Sequence, residues 1–235
     1  MKIEFQHLTV ERPGGIRALT DISSRWDSAR VSAVAVLGAN GAGKSTMLGA
    51  ILGLIPVVAG SVTVDGVTVG GKNLTAVRRR IGMIFQNSDD QLFSQTVRED
   101  VAFGPVNLQL PPDEVEIRVA EALEQLGAAH LADRDVTRLS GGEKRRVALA
   151  GVLAMHPEAI LLDEPTSMLD PRGSRELADL LNALPAFKAI ATHDLAFARK
   201  VCPECVILKE GRIFASGRTE ELLERHELLF ACGLE

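Results

Sequence analysis

The sequence predicts an α/β fold built on a mainly parallel sheet, and three observations carry that prediction. Short, almost wholly apolar runs such as Val31 to Leu37 and Ala159 to Leu162 alternate with stretches of helical periodicity, as strands buried on both faces do. A glycine-rich segment, residues 38–45, lies between one such run and a helical pattern. After Phe85 strand patterns stop, and Pro105, Pro111 and Pro112 punctuate a polar stretch, which predicts an inserted helical lobe.

The elements follow in order. Ile3 to Val10 reads as a first strand and Val31 to Leu37 as a buried one. Met47, Leu48, Ile51 and Leu52 recur at helical spacing between Ser45 and Leu54, and the valines of Ser61 to Val69 flank Asp65-Gly66, a hairpin signal. Ile81 to Phe85 is the next strand. In the lobe, Asp113 with Glu116 suggests a capping box, and Val115, Val119, Ala122, Leu123 and Leu126 line one helical face. A second helix is expected to open at Ser140-Gly141-Gly142. Strands resume at Ala159 to Leu162, Lys188 to Thr192 and Cys205 to Lys209. A helix from Ser174 to Leu184 separates the first two, and a short one over Thr219 to Arg225 comes last.

Composition narrows the class. The 235 residues are 46% hydrophobic and 24% charged with net charge -5, which suits a single soluble globular domain and argues against nucleic acid as a partner. No apolar run approaches the roughly 18 residues of a membrane span. The amino terminus has no apolar stretch of signal-peptide type, so a cytoplasmic address is expected. Three cysteines cannot build a full disulfide framework. Cys202-Pro203-Glu204-Cys205 is formally C-x-x-C, but without a second pair it reads as packing at a helix end and a strand start. Arg78-Arg79-Arg80 reads as a solvated face.

Gly38-Ala39-Asn40-Gly41-Ala42-Gly43-Lys44-Ser45 fits the phosphate-loop pattern G-x-x-x-x-G-K-[ST] between a strand and a helix. Its glycines let successive N–H groups curl around phosphate oxygens, and the helix adds the positive end of its dipole. Lys44 is placed to reach the β- and γ-phosphates of ATP, and Ser45 to ligate Mg²⁺. Ile160-Leu161-Leu162-Asp163-Glu164 brings two carboxylates to the carboxyl end of a strand, where open α/β sheets bind ligands. Asp163 can hold Mg²⁺, and Glu164 is a candidate general base for the water that attacks the γ-phosphate.

With Leu139-Ser140-Gly141-Gly142-Glu143 ahead of that strand, the chain resembles the ATP-binding cassette ATPases, over essentially its whole length. The resemblance implies a RecA-like P-loop core with a mainly parallel sheet, an N-terminal antiparallel β portion and an inserted α-helical subdomain. Residues 1–86 and 155–235 would form the core of one 1–235 domain, and 87–154 the helical signature subdomain. It further implies that Gly38, Asn40, Gly41, Gly43, Lys44, Ser45 and Thr46 bind the nucleotide, and that Gln86 (Q-loop) senses the γ-phosphate and the metal. Ser140, Gly141 and Gly142 would complete the site of an opposite subunit, with Asp170 in the Ser167-Met168-Leu169-Asp170 segment (D-loop). His193 after Thr192 (H-loop) would contact the γ-phosphate and partner Glu164. One phosphate loop and one signature without a repeat imply two sites across a dimer, a homodimer by expectation.

Where such ATPases carry an aromatic residue that stacks on adenine, this chain has Arg12. A guanidinium plane can stack on a base, or Arg12 is a solvated loop residue. Phe85 to Phe93 followed by Thr96 to Pro105 is similar to the energy-coupling-factor branch, and the segments Ala191 to Leu195 and Cys232 to Glu235 to its short cobalt and nickel uptake ATPases. The resemblance implies import of cobalt or nickel through a transmembrane coupling subunit and a membrane substrate-capture protein, with the chain on the cytoplasmic face. Biotin or another vitamin is the alternative cargo, and a soluble cassette ATPase outside transport is a further one. Asp89 and Asp90 are candidates for an acidic notch that receives a basic coupling helix. Leu92 and Phe93 read either as a groove for a partner helix or as core.

Overall fold

The computed structural model describes residues 1–12, 14–167 and 169–234. Pro13, Met168 of the Ser167 to Asp170 segment and Glu235 of the Cys232 to Glu235 segment lie outside the described residues.

Two sheets organise the chain. The first is antiparallel, in the order β2-β1-β4-β5, with β1 over Lys2–Arg12, β2 over Ile16–Asp27, β4 over Val57–Val64 and β5 over Val67–Thr68. β4 and β5 form the hairpin expected at Asp65-Gly66, with both residues at positive φ (48° and 78°), as a primed two-residue turn demands. The sequence did not single out β2. Its buried residues Leu19, Ile22 and Trp26 are three and four apart because irregularities in its pairing with β1 shift the register, so the period of two is lost.

The second sheet has six strands in the order β10-β9-β3-β8-β7-β6, all parallel except β10. Here β3 is Ala33–Leu37, β6 Ile81–Ile84, β7 Ala159–Asp163, β8 Phe187–Thr192, β9 Glu204–Lys209 and β10 Arg212–Arg218. Every residue of β3, β7 and β8 is buried, which is why they read as unbroken apolar runs. Alternation along β3 feeds two cores. Ala33, Ala35 and Leu37 face one core with the lobe, and Val34 and Val36 face the other with the antiparallel sheet and helix α1, Lys44–Ile51.

Helix α2 spans Leu74–Arg80 and turns the Arg78-Arg79-Arg80 run outward only in part. Arg78 donates to Leu52 O at 3.0 Å, and Arg80 pairs with both Asp65 and Glu158. Between β6 and β7 lie α3 (Val97–Asn107), α4 (Pro112–Gln125) and α5 (Gly141–Leu153). α3 runs through Pro105, which the sequence treated as a break. A full reciprocal cap between Thr96 and Glu99 starts that helix. The cap expected at Asp113 is corrected: α4 begins at Pro112, so Asp113 lies in its first turn and makes no cap bond. Helices α6 (Pro171–Ala183), α7 (Leu195–Val201), α8 (Thr219–Leu223) and α9 (His226–Ala231) complete the chain. Cys202 ends α7, Cys205 sits in β9, and both thiols are buried; burial pushes Cys205 up to about 11, so neither is poised as a thiolate. No helix among the described residues is long and apolar enough to cross a membrane.

Candidate nucleotide site

The carboxyl ends of β3, β7 and β8 meet at one edge of the parallel sheet, and the candidate residues converge there. β3 runs straight into the glycine-rich loop. A Cβ on Gly38 would lie 2.6 Å from Leu208 O, and one on Gly43, at φ 106°, would lie 2.7 Å from Ala18 O, so the loop fits only without side chains at those positions. The Met47 amide is the first in α1 to reach a carbonyl, that of Gly43 at 2.9 Å. Among the described residues, the amides of Gly41, Gly43, Lys44, Ser45 and Thr46 meet no acceptor, which makes the loop and helix start a ready cradle for anionic oxygens.

Five side chains form two bonded groups at the cradle, Lys44–Glu164–His193 and Ser45–Asp163. Lys44, only 6% exposed, donates from Nζ to Gly38 O at 2.9 Å and to Ala39 O at 3.3 Å, and it pairs with Glu164 Oε1 at 3.1 Å. The other oxygen of Glu164 lies 2.9 Å from His193 Nδ1. Ser45 Oγ donates to Asp163 Oδ1 at 3.0 Å. Burial pushes the Asp163 carboxyl above the ordinary aspartate range, and the neighbouring Glu164 charge adds to that, against the Ser45 bond and the Lys44 charge. Glu164 itself sits in left-handed backbone at φ 45°, held by its N–H on Ala191 O at 2.8 Å. Strain of that kind in a non-glycine residue at a sheet edge is the mark of a side chain being aimed.

Arg12, at the end of β1, donates from Nη2 to Thr46 Oγ1 at 3.0 Å, so it reaches the first turn of α1. Thr46 is fully buried. The Gln86 side chain makes no hydrogen bond to this cluster, and no hydrogen bond or ion pair among the described residues joins Ser140, Gly141, Gly142 or Asp170 to Lys44, Ser45, Asp163 or Glu164. Ser140 caps α5 instead, with Glu143 accepting from its N–H at 2.8 Å and its Oγ at 2.7 Å. Asp170 caps α6 through Gly173 N at 2.7 Å. Ser140, Gly141 and Asp170 are exposed at the starts of α5 and α6, and Gly142 is half-buried. Asp89 and Asp90 lie in a short turn after Gln86, where Asp89 pairs with Lys144 of α5 and Asp90 makes no ion pair among the described residues. Leu92 packs partly against the core, whereas Phe93 is 64% exposed, edge-on to Phe103 of α3 at 4.7 Å between ring centres.

One contributor escaped the sequence reading. Arg145 of α5 is 7% exposed and donates to the carbonyls of Phe85 and Gln86, both at 2.9 Å, and to Ser167 Oγ at 3.2 Å. The signal was present: Arg145 falls on the stripe it shares with Leu149 and Val152, the buried face of α5.

Such an arrangement can bind a triphosphate on backbone amides and a lysine, seat a hard cation on the oxygens of Ser45 and Asp163, and hold a carboxylate beside a histidine where a water would attack. Comparison with known proteins shows the family. Residues 23–167 match the family model described as ABC transporter. The chain is 44% identical over 237 residues to the energy-coupling factor transporter ATP-binding protein EcfA of Methanothermobacter thermautotrophicus, covering 99% of this chain and 76% of that one. It is 43% identical over 232 residues to the cobalt import ATP-binding protein CbiO of Rhodobacter capsulatus, covering 97% and 82%. Among solved structures it is similar to CbiO1 of Clostridium perfringens, described as part of the ABC transporter complex CbiONQ. The TM-score is 0.86 at 36% identity, with 99% of this chain and 94% of that one covered. The chain therefore belongs to the ABC transporter family, as an ATP-binding cassette ATP hydrolase of the energy-coupling-factor type.

Proposed function

We propose that this chain is the ATPase subunit that powers import of a transition-metal ion, cobalt or nickel, through a membrane partner. The observation that carries the chemical part is the placement of Glu164 between Lys44 and His193, beside the Ser45–Asp163 pair. Loop amides from Gly38 to Thr46 and the Lys44 ammonium would bind the phosphates of ATP, with Asn40 and Arg12 flanking them. Ser45, Asp163 and Gln86 supply the hard oxygen donors that suit Mg²⁺. When bound there, Mg²⁺ would supply positive charge that offsets the charge on the phosphates. Glu164, left without its Lys44 contact once the ammonium engages phosphate, would accept a proton from the attacking water. His193, bonded to the same carboxylate, would fix its orientation.

Ser140, Gly141, Gly142 and Asp170 make no hydrogen bond or ion pair to Lys44, Ser45, Asp163 or Glu164 among the described residues, so they would act on the nucleotide of a second copy, and a homodimer would carry two sites. Asp89, Asp90 and the exposed Phe93–Phe103 pair lie together on the lobe and offer a surface of acidic and apolar character to the transmembrane coupling subunit. That partner would hold the chain on the cytoplasmic face of the membrane, with a substrate-capture protein completing the importer. The cobalt reading is supported by the name of the Rhodobacter capsulatus relative. Co-expression with the membrane subunits, followed by ATP-dependent uptake into vesicles, tests it. Uptake of cobalt or nickel is expected; uptake of biotin or another vitamin, with neither metal carried, would replace the metal reading.

A further inference from the structure

Among the described residues, Arg145 is a buried cation without a carboxylate partner. Its guanidinium is held wholly by neutral acceptors, two carbonyls at the end of β6 and the hydroxyl of Ser167. Burial lowers its pKa from the ordinary arginine value, and no opposite charge among the described residues offsets the penalty. Buried charges are ordinarily paired, and an unpaired one that persists calls for a reason other than stability.

The three acceptors belong to two different segments, and each segment carries candidate site residues. Phe85 and Gln86 begin the segment after β6, Ser167 lies three residues past Glu164, and Arg145 is on the second turn of the helix that Ser140 caps. On the side toward α6, α5 faces an open cleft of about 580 Å³ lined by Gly142, Arg146, Leu169, Asp170, Gly173 and Leu177. Arg145 itself lines that cleft, so its guanidinium spans from α5 to Ser167 beside it. A planar fork with donors fixed in one plane holds three acceptors in a single geometry, which a flexible ammonium cannot do.

We infer that Arg145 is a positioning residue: it fixes the Ser140–Gly142 segment relative to Gln86 and to Ser167, so that a shift at one of the three is passed to the others when nucleotide binds. This rests on the nucleotide site proposed above. Movement at Gln86 would then reach the surfaces that face the second copy through the Arg145 side chain. The anchors on Gln86 and Phe85 are backbone atoms, so the link survives changes of side chain there.

The test uses the full chain with its membrane partners and compares the parent with Arg145→Met, Arg145→Lys, Ser167→Ala and the double variant Arg145→Met with Ser167→Ala. ATP affinity and hydrolysis are measured separately, below the melting temperature of each protein. Arg145→Met is expected to bind ATP as the parent does while kcat falls by about a hundredfold, the loss expected when reacting groups shift by ~1 Å. Arg145→Lys should recover only part of that loss, and the double variant should lose much less than the product of the two single losses. A folded Arg145→Met protein with lower thermal stability but parental kcat would reduce Arg145 to a structural role and overturn the inference. If that variant does not fold, parental kcat in Arg145→Lys together with independent effects in a cycle of Arg145→Lys with Ser167→Ala would overturn it equally. A parent that neither binds nor hydrolyses ATP would instead defeat the proposed function.

Discussion

Glu164 is held at both ends: Oε1 lies 3.1 Å from the Lys44 ammonium and Oε2 2.9 Å from His193 Nδ1. The carboxylate is almost fully buried, with 8% of its side chain exposed, whereas 61% of His193 is open to solvent. A base so placed needs Lys44 to let go before it can take a proton, and the phosphates of ATP are the stronger claim on that ammonium. Glu164→Gln keeps size and the His193 contact and removes the basicity. Hydrolysis should fall by about 10²- to 10⁴-fold while ATP affinity holds, because a general base contributes about that much. Parental turnover in the purified variant would take Glu164 out of the role.

Arg12 bonds to Thr46 in the first turn of α1 rather than lying free in solvent. That contact sets the guanidinium close to the unpaired amides of the loop. If it turns from Thr46 to stack on the base, Arg12→Ala should weaken ATP by ~0.5–2 kcal/mol and leave inorganic triphosphate unaffected. Equal weakening of ATP, GTP and triphosphate in a titration would place the guanidinium on phosphate. No change in any of them would return it to a purely local bond.

Much of this site is legible because phosphate binding needs contiguous residues. Residues 38–45 announce themselves, and Asp163-Glu164 follow from a strand that is apolar on both faces. What the sequence hid has physical causes. β2 lost its alternation to register shifts against β1, and α3 was masked by Pro105, which the helix tolerates. Arg145 was hidden among charged neighbours in Glu143-Lys144-Arg145-Arg146, where only the phase of the helix separates the buried cation from the solvated ones. The Asp89–Lys144 pair joins residues 55 apart in sequence, a contact that no local pattern encodes.

Arg80 gives a pH prediction. It donates in parallel to Glu158, from Nε to Oε1 at 2.6 Å and from Nη2 to Oε2 at 2.8 Å, and it also pairs with Asp65, so it ties the β4–β5 turn to the entrance of β7. The Arg80 bond holds the Glu158 carboxyl below its ordinary value of 4.5. A carboxylate whose pKa is depressed by folding contributes stability above the unfolded value and loses it as pH falls through the folded one. The groups are partly solvated, so the contribution is about 1 kcal/mol or less. Arg80→Ala should lower Tm near neutral pH by about 2–4 °C, the shift such an energy gives in a domain of this size. The gap should close once pH drops well below 4.5. An unchanged gap between parent and variant at low pH would show that the effect is packing and not charge.

The last prediction separates two adjacent acids. Asp89 is already engaged by Lys144 on α5, and Asp90 is not engaged by any ion-pair partner among the described residues. Within the proposed transporter the two therefore do different work: Asp90 is the charge available to a basic helix of the membrane subunit, and Asp89 connects that contact to the first turns of the signature helix. Asp90→Lys reverses the available charge and leaves the Asp89–Lys144 pair in place. The isolated subunit should hydrolyse ATP at the parental rate, because Asp90 touches none of Lys44, Ser45, Asp163, Glu164 or His193. Assembly with the membrane subunit should weaken, since like charges brought face to face slow encounter and raise dissociation, and the loss should shrink at high salt. Asp89→Lys should behave differently: it sets two cations against each other beside Ser140, so it should depress hydrolysis even without the partner. Copurification of the complex at low and high salt, alongside ATPase assays of the free subunit, reads both effects. Parental assembly of Asp90→Lys at low salt would remove the acid from the docking surface, and parental hydrolysis of Asp89→Lys would break the proposed connection to α5.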